Sequence, residues 1–141
     1  MDLYLSTLVS QVINSYVSGP SVKTVVEAHG FTLDLARATP AGLITNELLT
    51  NSFKYAFPEG ERSRGCSPGD PCIITVSLSL DAGMYTLSVA DNGIGLPLDF
   101  DIHATQSLGL KLVGFLARHQ LRANIVVNTS KGTEFGFRFK E

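Results

Sequence analysis

Residues 72–95 read CIITVSLSLDAGMYTLSVADNGIG, and their spacing decides the architecture. Ile74, Val76, Leu78 and Leu80 alternate with Thr75, Ser77 and Ser79, and Asp81-Ala82-Gly83 then leads into Tyr85, Leu87 and Val89. A period of two gives each run one apolar face, and the short glycine-containing segment between them predicts a hairpin. Asp91 keeps the parity of Tyr85, Leu87 and Val89, so its carboxylate is expected on the buried face. A carboxylate aimed into a core needs hydrogen-bond donors, and the exocyclic amine of adenine is one such donor. Gly93 and Gly95 would let a base approach the backbone closely. Asn-Gly is equally a common hairpin-turn signal, and Asp opens many turns, so both readings of this segment stand.

On the C-terminal side, residues 107–120 predict a helix with Leu108, Leu112, Phe115 and Leu116 as its apolar stripe. Ile125 and Val127 mark a strand. Phe135, Phe137 and Phe139 alternate with Glu134, Gly136 and Arg138 in a last strand after the Ser130-Lys131-Gly132 turn. Thr133 shares the parity of the phenylalanines, so its hydroxyl faces inward, either toward a ligand or as a satisfied core threonine. On the N-terminal side, residues 5–16 carry helical periodicity up to Gly19-Pro20, and residues 22–27 read as a strand. Thr39-Pro40 is expected to cap a helix running to about Ala56, before Pro58. Residues 59–71, EGERSRGCSPGDP, are a polar loop with too little chain on either side for two cores.

These elements add up to an α/β fold: a two-layer α/β sandwich, with a mixed, mostly antiparallel sheet carrying helices on one face. The 141 residues are one domain's worth of chain, with residues 1–39 leading and 40–141 carrying the chemistry. Eleven Lys plus Arg against thirteen Asp plus Glu leave no positive surplus, so no nucleic-acid partner is expected. No apolar run approaches the roughly 20 residues of a membrane span, and the domain is expected to be cytoplasmic, without membrane contact. Cys66 and Cys72 are too few for a zinc site and read as a loop thiol and a strand-edge thiol. His29, His103 and His119 are scattered, with His119 on its helix's apolar stripe, and each reads as structural. Neither GxxxxGK[ST] nor a third glycine after Gly93 and Gly95 is present.

Within PAGLITNELLTNSFKYA, residues 40–56, a 100° step per residue gathers Glu47, Asn51 and Lys54 into an arc of about 60°. A solvated helix face has the same pattern. Asn46 and Asn51, however, are mediocre helix formers in mid-helix, which suggests another use for them. An amide oxygen can ligate Mg²⁺ without exhausting its charge, an ammonium attracts phosphate, and a carboxylate can accept a proton. Ser107-Leu108-Gly109-Leu110 opens a helix with glycine in its first turn, at a cost of up to about 1 kcal/mol in propensity. Free amides there suit a phosphate, and a serine-capped helix with an incidental glycine fits as well.

Taken together and in this order, NELLTNSFKYAFP, DNGIGLP, SLGLKLV and GTEF resemble the nucleotide-binding domain shared by histidine kinases, DNA gyrase, mismatch-repair ATPases and the large heat-shock chaperones. The wording of the first and third segments is most similar to the HWE-like group of sensor histidine kinases. The resemblance implies an ATP site with Asn51 as Mg²⁺ ligand, Glu47 as catalytic carboxylate and Lys54 as phosphate contact. It implies Tyr55 beside an adenine whose amine meets Asp91, with Gly93 and Gly95 shaping the pocket and Thr133 completing it. Ser107, Leu108, Gly109 and Leu110 would form the phosphate-facing turn, although many relatives carry glycine where Ser107 stands, and residues 96–106 would form an ATP lid.

The implied activity is transfer of the ATP γ-phosphoryl to a histidine on a separate dimerisation domain, with a response regulator downstream. No segment resembles the phosphoacceptor helix, so this chain is expected to be an excised catalytic domain of such a kinase, or a protein acting on a histidine elsewhere. A serine kinase of the anti-sigma type and a nucleotide-responsive interaction module are the alternatives.

Overall fold

Asp81 pairs with Met84, leaving Ala82 and Gly83 as a two-residue hairpin loop, both with positive φ (51° and 78°). That is a type I′ turn, whose twist matches that of its flanking strands. This computed structural model describes residues 22–28, 33–53, 72–93, 101–102, 107–129 and 132–141. The hairpin joins β2 (Cys72–Asp81) to β3 (Met84–Asp91). β5 (Thr133–Lys140) lies antiparallel on the other side of β3, and β4 (Asn124–Asn128) forms the edge beyond it. β1 (Val22–Ala28) pairs with β2 in parallel, giving the order β1-β2-β3-β5-β4. A parallel neighbour needs a crossover, and helix α1 (Leu35–Asn51) lies between β1 and β2 in the chain.

Burial alternates along β2, β3 and β5 as the spacing predicts. Phe137 and Phe139 are fully buried, and Tyr85 stacks on Phe139 with ring centroids 5.3 Å apart. Ile44, Leu48 and Leu49 of α1 and Phe53 just beyond it belong to the same core, as do Leu110 and Val113 of α2 (Leu108–Phe115). The mixed sheet with its helices is the expected α/β class.

Helix α1 starts at Leu35, five residues before the predicted Pro40. Asp34 is extended (φ −67°, ψ 162°), and its carbonyl accepts from the N–H groups of Arg37 and Ala38 at 3.1 and 2.8 Å. Its carboxylate accepts two bonds from the Arg37 guanidinium at 3.0 and 3.1 Å, and Arg37 Nε also donates to the Lys140 carbonyl at 3.2 Å. These anchors start the helix early. Pro40 therefore falls in the second turn, where it lacks the N–H that would have bonded to the preceding turn.

The stripe expected on the second helix is also corrected. Leu108 is 82% exposed, and Leu112 and Phe115 are exposed as well, whereas Leu110, Val113, Gly114, Leu116 and Ala117 are buried. Apolar residues surround this helix, so periodicity could not choose a face, and packing against α1 does. After Phe115 the chain widens into a π-helical turn, Leu116–Leu121, closed by Arg122 in the left-handed region (φ 53°). His119 is exposed rather than on an apolar stripe, with its ring 4.9 Å from that of Phe115. Cys72 is buried and disulfide-bonded, not a thiol. Spacing cannot choose between these states, because the choice follows the redox environment. Cys66, the predicted helix at 5–16, the loop at 59–71 and most of the predicted lid lie outside the described residues.

Candidate functional site

The stripe that buries Leu48 and Leu49 of α1 also turns Ser52 inward, where its hydroxyl donates to Asp91 Oδ2 at 3.0 Å. Asp91 Oδ1 accepts from the backbone N–H groups of Gly93 at 3.0 Å and Thr133 at 3.3 Å. Asp91 is 8% exposed and sits in one row of the sheet between Ile74 and Thr133, which is likewise buried. Burial pushes its carboxyl above the ordinary value, and the bonds from Gly93, Ser52 and Thr133 oppose that shift.

Two backbone devices hold this end of the sheet. The Asn92 N–H donates to the Ile73 carbonyl at 3.2 Å, and Asn92 Oδ1 accepts from the Ile73 N–H at 2.8 Å. Asp91-Asn92-Gly93 therefore closes β3 onto β2 and is not a hairpin turn. Gly132 has φ +87°, and a Cβ there would collide with the Asp91 carbonyl oxygen. Only glycine permits that approach.

Glu47 lies half-buried one turn before Asn51 on α1. A Cβ on Gly109 would fall 2.7 Å from Glu47 Oε2, so the bare backbone of Gly109 is what lets the carboxylate lie against the start of α2. Ser107 Oγ caps that helix by accepting from the Leu110 N–H at 3.3 Å, and the Ser107 carbonyl accepts from the Lys111 backbone N–H at 2.9 Å. The amides of Leu108 and Gly109 belong to the first turn, where a helix has no acceptor of its own to offer.

One helix and its C-cap thus touch both halves of the site: Ser52, the cap, reaches Asp91, and Glu47 reaches Gly109. Five residues of α-helix separate them by about 7.5 Å along the axis. Asn51, half-buried, lies between. Among the described residues no group of three or more His, Cys, Asp or Glu could cage a metal. The Asn51 amide and Glu47 carboxylate are oxygen donors of the kind Mg²⁺ takes when phosphate and water supply the rest. Lys54, Tyr55 and Gly95 lie outside the described residues. Sequence reasoning missed Ser52 and the close approach of Gly132. Ser52 was legible as a polar residue three and four positions after Leu49 and Leu48, on a core stripe.

The architecture is that of a known class. Residues 36–141 match the family of histidine kinase-, DNA gyrase B- and HSP90-like ATPases, and the chain belongs to it. It is 29% identical over 93 residues to the sensor histidine kinase PdtaS of Mycolicibacterium smegmatis and 28% identical to its counterpart in Mycobacterium tuberculosis. Each alignment covers 66% of this chain but 17% of the relative, so the chain spans about a sixth of their length.

Among solved structures it resembles the histidine kinase domain of the blue-light activated histidine kinase EL346 of Erythrobacter litoralis. The TM-score is 0.82 at 24% identity, covering 99% of this chain and 60% of that one. It also resembles the Acinetobacter baumannii histidine kinase AdeS, with a TM-score of 0.70 at 14% identity over 96% of this chain and 64% of that one. These likenesses establish the histidine-kinase ATPase fold.

Proposed function

We propose that residues 1–141 form one ATP-binding catalytic domain of a two-component sensor histidine kinase. It passes the γ-phosphoryl to a histidine on a separate dimerisation domain, from which a response regulator takes it. The observation that carries this reading is the buried Asp91 carboxylate, tied through Ser52 to the helix that also bears Glu47 and Asn51. Asp91 accepts from the adenine amine, while Gly93, Gly95, Thr133 and Tyr55 bound the base. Asn51 holds Mg²⁺, which when bound neutralises phosphate charge. Lys54 and the first-turn amides from Ser107 to Leu110 receive phosphate oxygens. In the transfer the acceptor imidazole nitrogen bonds the γ-phosphorus, the bond to the β,γ-bridging oxygen breaks, and ADP leaves. Glu47 takes the proton that the imidazole gives up. Positioning and charge stabilisation supply most of the catalysis in such transfers.

The wording of the first and third segments supports placement in the HWE-like group. Among the described residues no helix is long and apolar enough to cross a membrane. The near-neutral charge balance supports a protein partner over nucleic acid.

The test is incubation with γ-labelled Mg-ATP and a purified histidine-bearing dimerisation domain. Acid-labile label on that domain, abolished by Glu47→Gln with ATP binding kept, is the expected result. Acid-stable label would assign a serine kinase instead. ATP binding without label in any partner mixture would leave an interaction module.

A further inference from the structure

We propose that Ser52 is the positioning residue of the base site: its hydroxyl occupies one acceptor position of the Asp91 carboxylate and assigns the remaining one to the nucleotide's exocyclic amine. This rests on the reading of Asp91 as the base acceptor. An ionised carboxylate offers about four lone-pair positions. The N–H groups of Gly93 and Thr133 take two on Oδ1, and Ser52 takes one on Oδ2. With these donors, the ones among the described residues, one position is left, on Oδ2 beside the Ser52 hydroxyl. Two of the three donors are backbone groups fixed by the sheet and its closing turn. Ser52 is the side-chain donor among them, and it caps the C-terminus of α1, its own N–H donating to the Leu48 and Leu49 carbonyls of the helix that carries Glu47 and Asn51. The helix that presents groups to the phosphates therefore also sets the direction in which the base is received. Base and phosphates are placed in register by one rigid body.

A hydrogen bond to a carboxylate also favours its ionised form. Asp91 must be ionised to accept from an amine at its last position, and burial works against this. On the packed elements, Glu47 of α1 lies against Gly109, Glu134, Arg138 and Lys140 of β5 are exposed, and so is Asp81 at the far end of β2. No charged neighbour is among the causes acting on Asp91; burial and the three hydrogen bonds are.

The experiment measures, on the full chain with Mg²⁺, the affinity for ATP against purine riboside triphosphate, which lacks the amine. The preference is a ratio on one protein, so any unfolded fraction cancels. Ser52→Ala is expected to lower it by roughly three- to tenfold, the worth of one hydrogen bond, while Ser52→Thr restores it. In Ser52→Ala the acid-side loss of ATP affinity should also begin at higher pH than in the parent. An unchanged preference, or equal weakening for both nucleotides with no shift in the pH profile, overturns the role of Ser52. Asp91→Asn separates the two claims: if that variant keeps the preference, the base site itself is misplaced, whatever Ser52 does.

Discussion

Asp91 answers two opposed demands, since burial disfavours the charge that its proposed ligand requires. Its folded pKa lies above the ordinary 3.8, so the native state binds a proton more readily than the unfolded chain does. Stability from this group is therefore fully present below about pH 4 and lost as pH rises through the folded value. In Asp91→Asn the amide oxygen can accept from Gly93 and Thr133, and the amide nitrogen can donate to Ser52 Oγ, so the network survives without the charge. Calorimetry should find this variant at least as stable as the parent at pH 7, and without the parent's loss as pH rises above about 4. Titration should find its ATP affinity weakened by about 1 to 3 kcal/mol. The carboxylate is kept for a ligand at some expense to the fold.

Helices α1 and α2 meet where Gly109 faces Glu47, and the two consequences of filling that gap have opposite signs. Alanine at 109 gains up to about 1 kcal/mol of helix propensity. Its Cβ would meet the far end of a flexible side chain, which can swing away. Gly109→Ala should therefore melt no lower than the parent. Displacing the Glu47 carboxylate by an ångström or so should slow transfer to the histidine-bearing domain on the order of a hundredfold. Thermal melts and single-turnover labelling on the same preparation check both. A fall in stability with an unchanged rate would show the glycine to be a packing device only.

Across the molecule, the phenylalanines of β5 and the inner faces of β2 and β3 make one core with α1 and the buried side of α2. Phe137 is fully buried, so Phe137→Ala should cost about 3 to 5 kcal/mol in urea unfolding. Leu108→Gln, on the exposed side of α2, should change stability by less than about 0.5 kcal/mol, although periodicity placed Leu108 inside. The same pair of measurements judges the corrected helix face. A large loss at Leu108 would return that side chain to the core.

Alternation along 74–89 and 135–139 was enough to predict the sheet, its hairpin and the inward aim of Asp91 and Thr133, because a strand sets side-chain direction by local geometry alone. The Ser107 cap was legible for the same reason. The start of α1 was not, because Arg37 is also tied to the Lys140 carbonyl, 103 residues away. Nor was the buried face of α2, since a helix apolar on all sides acquires an inside only when it packs. The donors to Asp91 from Ser52 and Thr133 stand 39 and 42 residues from it. Residue order carries the periods of single elements, whereas which hydroxyl meets which carboxylate, and which glycine lies under which side chain, depends on distances between elements that arise only when the layers close on one another.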